Sequence, residues 1–132
     1  MLSILQCLRD VANYIKGVDD YVVDHGTSGI WTYQKWKSGK CELWGSVSKN
    51  YAFTKARGGN MYSTPSASSE TLPFKVKDYS ITGGCRPHNI GNFGDIGISN
   101  NDTVTYWLFN VGASGTYSTT VFFHIVGKLG GQ

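Results

Sequence analysis

The side chains in this chain that could carry out chemistry are carboxylates, imidazoles and thiols, and their spacing has to be asked what it permits. Beyond the first twenty residues the carboxylates are Asp24, Glu42, Glu70, Asp78, Asp95 and Asp102. A glycosidase needs two of them about 5 to 10 Å apart across a sugar, and nothing in the spacing selects a pair, so each reads as a solvated turn carboxylate. His25, His88 and His124 lie far apart and form neither an HExxH pair nor a Cys/His zinc pattern. His124 sits in an apolar strand, where it reads as a packed or trimer-axis histidine. Cys85-Arg86-Pro87-His88 brings a thiol near an imidazole in sequence, but a nucleophile needs its base at hydrogen-bond distance, which proximity along a chain rarely supplies. There is no GxSxG and no phosphate-cradling loop; Gly91-Asn92-Phe93-Gly94 is a turn. The expectation is a protein with no catalytic residues, no metal site and no cofactor, hence not an enzyme.

The elements that would position any site are β-strands. The chain has 132 residues, with 17 glycines, 8 tyrosines, 6 phenylalanines and 4 tryptophans. Charged residues make up only 16% of it, and Gly, Thr, Ser and aromatics in excess over Glu, Lys and Ala point to strands joined by tight turns. The formal charge of +3 is mild. Lys35, Lys37 and Lys40 come closest to a basic run and fall within a strand-turn-strand pattern, so no nucleic-acid partner is expected. Cys7, Cys41 and Cys85 are too few and too scattered for a disulfide framework, which suggests folding in a reducing cytosol. No apolar run approaches the ~20 residues that span a bilayer. Arg9 and Asp10 interrupt the N-terminal stretch, which therefore does not read as a signal peptide. A protein that works outside the cell but leaves it by lysis would have this profile.

Residues 1–19 read as a helical stalk or coiled-coil end and residues 20–132 as a β-rich distal domain. Ile4, Leu8, Val11, Ile15 and Val18 are spaced 4-3-4-3, a heptad seam, with Arg9, Asp10, Asn13 and Lys16 on its flanks. The alternative is one amphipathic helix packed on its own domain. Gly17 and Asp19-Asp20 end the helix, and Met1 reads as an artificial start within a longer stalk. From Tyr21 the pattern is β: 30–36, a turn at Lys37-Ser38-Gly39, and a return strand from Lys40 with Cys41, Leu43 and Gly45 on one face and Glu42, Trp44 and Ser46 on the other. Residues 55–71 read as loop, 72–77 and 79–81 as a strand pair, and 82–102 as loop with a short strand at 96–98. The strands 103–110 and 119–126 form a hairpin about Gly112-Ala113-Ser114-Gly115. The expected fold is all-β, a sandwich or barrel of about six to eight antiparallel strands with an N-terminal helix, homotrimeric.

The segment Gly26-Thr27-Ser28-Gly29-Ile30-Trp31-Thr32-Tyr33-Gln34-Lys35-Trp36-Lys37-Ser38-Gly39-Lys40-Cys41-Glu42-Leu43-Trp44-Gly45 resembles a stretch near the ends of tail fibre, baseplate and minor structural proteins of phages and prophages of Gram-positive hosts. There it follows a helical stalk. The ending Phe123-His124-Ile125-Val126-Gly127-Lys128-Leu129 is similar to that family's closing strand. Gln34 stands where the family usually has Arg, Lys40-Cys41 replaces an apolar-Ala pair, Leu43 replaces Cys and Leu129 replaces Trp. Residues 50–100 carry no resemblance. The resemblance implies a virion (phage tail) location after assembly in the host cytoplasm. It also implies a homotrimer in contact with other tail or baseplate proteins, and a distal module that binds a bacterial surface receptor, expected to be a saccharide, during adsorption. A non-binding trimerisation cap or connector is the alternative; a hydrolytic tailspike would need an acid pair the sequence does not offer. No nucleic acid and no membrane insertion are expected. Because binding residues concentrate in loops, the candidates are Arg57, Tyr62, Arg86, His88, Asn89 and Asn92.

Overall fold

Ser3 starts the helix by accepting a hydrogen bond from the Gln6 amide on its Oγ at 3.1 Å, the N-cap role for which a short hydroxyl suits the free amides of a first turn. The computed structural model describes residues 3–17, 20–86 and 92–130. Helix α1 runs Ile4–Gly17, and Ile4, Leu5, Leu8 and Val11 are all exposed, so this stretch of the seam is not buried on its own domain. Ile15 falls within the helix, and Val18 lies outside the described residues.

Ten antiparallel strands follow among the described residues, more than the sequence suggests: β1 Val22–Ser28, β2 Trp31–Trp36, β3 Lys40–Phe53, β4 Lys55–Ala56, β5 Met61–Ser63, β6 Ser68–Thr71, β7 Val76–Arg86, β8 Asn92–Ser99, β9 Thr103–Val111 and β10 Gly115–Leu129. They form two sheets. The first has the order β1-β2-β3-β10-β7. In the second, β9 is flanked by β5 and β6 on one side and by β8 on the other, with β4 beyond β5. Alternation decides what lies between them. Cys41, Leu43, Tyr51, Phe53, Val121, Phe123 and Ile125 from the first sheet meet Val104, Tyr106 and Leu108 from the second in one core, so the fold is a sandwich rather than a closed barrel.

Several readings of the sequence need correction. The runs 103–110 and 119–126, expected to pair as a hairpin, lie in different sheets as parts of β9 and β10, so the turn at 112–115 crosses from one sheet to the other. Residues 76–86 form one strand, not a strand pair with a loop after it. Asp78 takes a positive φ of 48° where the β10 register slips between Val126 and Lys128, a bulge that flips the strand's parity. Beyond it Gly83 and Gly84, read as part of a loop, are extended and paired with Phe123 and Phe122. Residues 55–71, read as loop, carry β4, β5 and β6.

The tryptophan hairpin of the sequence motif is explained by packing. Trp31, Gly45 and Phe123 are neighbours in register across β2, β3 and β10. The Trp31 ring lies over Gly45 and reaches Phe123, centroids 5.6 Å apart, while its Nε1 donates to the Thr71 carbonyl of the opposite sheet at 2.9 Å. Trp31 is thus a core tie between sheets. On the other face of β2, Trp36 is half-buried under the Lys40 ammonium at 4.5 Å, a cover supplied by the same hairpin. A second tie is polar: the Tyr51 and Tyr106 hydroxyls share a hydrogen bond at 2.7 Å, and Tyr106 donates to Glu70 at 3.1 Å, which also meets Lys49 at 3.5 Å. Burial, assisted by the neighbouring Tyr51 and Glu70, pushes the Tyr106 hydroxyl far above its ordinary value. Both phenols therefore stay protonated and keep their donors.

Candidate functional site

Strand β3 sets the long axis. Its fourteen residues span about 43 Å at ~3.3 Å per residue. At one end the chain joins the sheets: the Tyr21 carbonyl accepts from the Lys37 amide at 2.9 Å, and Asp20 accepts from the Ser38 amide and hydroxyl at 2.9 and 2.6 Å. At the other end Phe53 pairs with Gly115, and the β4–β5 hairpin docks on the following turn through Gly112 N–H to the Asn60 carbonyl at 2.7 Å. The hairpin can be this tight because Gly58 and Gly59 take φ of 108° and 55°, a region open to glycine and strained for other residues.

That far end carries a group with recognition chemistry. Arg57 folds back from the hairpin, its Nε donating to Ser63 Oγ at 2.7 Å and its guanidinium stacked over the Trp107 ring at 5.3 Å. The Nη groups have no protein partner among the described residues. Around them is a depression of about 610 Å³ lined by Arg57, Met61, Ser63, Asp95, Trp107 and Phe109. Asp95 is exposed and is the cross-strand partner of Trp107, yet it is not paired with Arg57. A fixed fork of donors, a free carboxylate acceptor and an aromatic surface in one depression can hold a polyhydroxylated ligand: hydroxyls bridge the two charges, and apolar C–H faces pack on the ring.

The sequence candidates distribute unevenly around this site. Arg57 is in it. Tyr62 sits next to it on β5, its ring half-buried against the core. Asn92 opens β8 opposite Phe109. Arg86 lies on the other sheet, its guanidinium over Phe122 at 5.0 Å. His88 and Asn89 lie outside the described residues. Sequence reasoning did not single out Trp107 and read Asp95 as a solvated turn carboxylate, whereas it lies within β8. The parity of the Thr103–Asn110 run did carry a signal for Trp107, since Val104, Tyr106 and Leu108 are buried and Trp107 must then face outward.

The outer face of the first sheet holds a further group, of which sequence reasoning singled out only His124. Thr32, Trp44, His124 and Thr82 form one row across β2, β3, β10 and β7. Trp44 stacks on His124 with centroids 5.4 Å apart and planes 13° from parallel, and His124 Nε2 is 2.7 Å from Glu42 Oε2. Among the described residues no hydroxyl or thiol is hydrogen-bonded to His124, so the pair is an anchored imidazole without an attached nucleophile. His124 is therefore on a half-exposed outer face rather than packed in the core. Cys85, half of the thiol–imidazole idea, has its thiol pushed up to about 11 by burial, the opposite of nucleophile activation. Among the described residues no three His, Cys, Asp or Glu side chains converge as a metal site. No family model, no curated protein and no solved structure matches this chain.

Proposed function

We propose that the chain is the distal module of a phage tail fibre or baseplate protein of a Gram-positive host, binding a surface saccharide of that host during adsorption without cleaving it. The observation that carries the reading is the Arg57–Trp107–Asp95 group at the end of the sandwich away from where the chain joins it. A stalked binder presents its ligand site there. The resemblance of residues 26–45 and 123–129 to phage structural proteins supports the virion context. The exposed Ile4, Leu8 and Val11 support self-association through the helix, the simplest form being a homotrimer whose three tips raise weak single-site affinity by multivalency.

The test is titration of the full chain with cell-wall polysaccharides purified from a panel of Gram-positive bacteria. Light scattering runs on the full chain and on a version starting at Asp20. The expected results are binding without release of reducing ends, about tenfold weaker binding for Arg57→Ala, and a full-chain mass near three times 14.5 kDa. Released reducing ends would replace a binder with a hydrolase. A trimer that binds no polysaccharide would leave the connector role, and a monomer in both forms would end the trimeric reading.

A further inference from the structure

On the outer face of the first sheet, Ser46, Phe122 and Gly84 form the row next to Trp44 and His124. Together with Ile30, Thr32 and Thr82 they enclose a shallow groove of about 460 Å³ that runs across the strands. Two features of this groove bear on what it can hold. The first is Gly84. It is absent from the residues with positive φ, and a Cβ built on it meets nothing within 4 Å. Neither backbone geometry nor internal packing requires a glycine there. A glycine inside a strand costs conformational entropy, and a remaining reason to keep one is close approach by a molecule from outside.

The second feature is unused hydrogen-bonding capacity. The hydroxyls of Thr32, Ser46 and Thr82, all on exposed residues lining the groove, make no hydrogen bond to another described residue and are open to an outside partner. One row further on, Ser48 and Thr120 satisfy each other at 2.6 Å. Alongside the unused hydroxyls stand Trp44, still 39% exposed, and the His124–Glu42 pair. The Arg86 guanidinium lies over Phe122, and the part of the Trp44 ring not stacked on His124 is left open.

From these observations we infer that the groove over Gly84 is a second saccharide subsite, taking the hydroxylated face of a sugar chain that lies across β3, β10 and β7 with Trp44 as its stacking surface. The inference rests on the reading of the chain as a saccharide binder and adds to it the place where a longer polymer is gripped. A second copy of the chain fits the groove less well. Self-associating faces are apolar at their centre, whereas here the Thr32, Ser46 and Thr82 hydroxyls stand among the rings of Trp44, Phe122 and His124.

Gly84→Val tests the idea cleanly, because the open space around Gly84 lets the fold accept the side chain while the groove is filled. The full chain and this variant are titrated with purified Gram-positive cell-wall polysaccharide and with oligosaccharides cut from it. The Trp44 indole is followed by NMR, and Arg57→Ala is run in parallel. The expected result is a melting temperature like that of the unmodified chain, affinity weakened about tenfold or more, and loss of the ligand-induced shift at Trp44. Unchanged binding by Gly84→Val, with Arg57→Ala still impaired, would overturn the groove and leave the saccharide reading standing. No binding by the unmodified chain would remove both. A drop in molecular mass in Gly84→Val would make the groove a contact between copies and overturn the inference.

Discussion

Gly45→Ala is the substitution that most directly tests the packing at the heart of the hairpin. A Cβ at this position would stand 2.6 and 2.7 Å from Cε3 and Cζ3 of Trp31, whereas carbon atoms pack at about 3.5–4.0 Å. The ring would have to retreat by roughly 1 Å. Its indole N–H is held by the Thr71 carbonyl at 2.9 Å and its face by Phe123, so retreat means overpacking against Phe123 or releasing the hydrogen bond. Overpacking costs about 1–3 kcal/mol, and a lost hydrogen bond about 0.5–1.5 kcal/mol. Replacing glycine by alanine in a compatible strand returns about 0.4–1 kcal/mol through the unfolded chain. The clash therefore wins, by about 1–2 kcal/mol, and the melting temperature should fall by roughly 3–10 °C for a domain of this size. Thermal unfolding followed by circular dichroism reads this directly. Trp31→Leu removes the obstructing ring, so the double variant should show a coupling of about 0.5–3 kcal/mol between the sites. A melting temperature at or above that of the parent, or strictly additive effects, would refute the account of why glycine follows Trp44.

Tyr106→Phe strands the buried Tyr51 hydroxyl and removes a donor from Glu70. It should lower stability by about 1–3 kcal/mol in chemical denaturation, and a neutral result would show that water takes the vacated place. At about pH 8 an alkylating reagent should modify exposed Cys7 first. Cys41 is buried and Cys85 has its thiol raised to about 11, so both should react only in denaturant; peptide mass mapping checks the order. The Ser38 hydroxyl and amide hold the Asp20 carboxyl below its ordinary value of 3.8, with help from the Tyr21 amide and Lys40. A depressed folded-state value stabilises the fold above pH 3.8 and loses that contribution as the pH falls below it. Asp20→Asn should therefore be less stable than the parent at neutral pH and approach it in acid; a difference that persists unchanged into acid would contradict this role.

Alternation made much of the core legible. In the return strand Cys41 and Leu43 are buried and Trp44 is exposed, and the Thr103–Asn110 and Thr119–Val126 runs bury alternate residues. What stayed hidden follows from breaks in that period. The bulge at Asp78 shifts the inward positions from Val76 to Ile81, changing parity within one strand, and a glycine pair in an extended edge strand has the composition of a turn. The recognition group was half visible. The outward parity of Trp107 could be read, and Arg57 stood in a segment rich in turn residues. Their meeting depends on a hairpin folding back across β9 and on Ser63 fixing the guanidinium, which no local pattern encodes.

The pairing of β3 with β10 has a consequence for how the molecule is made. Its register joins Phe53 to Gly115 and Lys40 to Lys128, partners 62 and 88 residues apart in sequence. The central ladder of the first sheet thus closes only after β1 to β9 have been made, because β10 follows all of them along the chain. Until then β3 offers one long unpaired edge, open to pairing with the same strand on neighbouring nascent chains. With closure so non-local, folding belongs to the slow, millisecond-to-second regime of β-proteins. Truncation within the fifteen residues of β10 would release a chain that collapses and aggregates rather than a shortened sandwich.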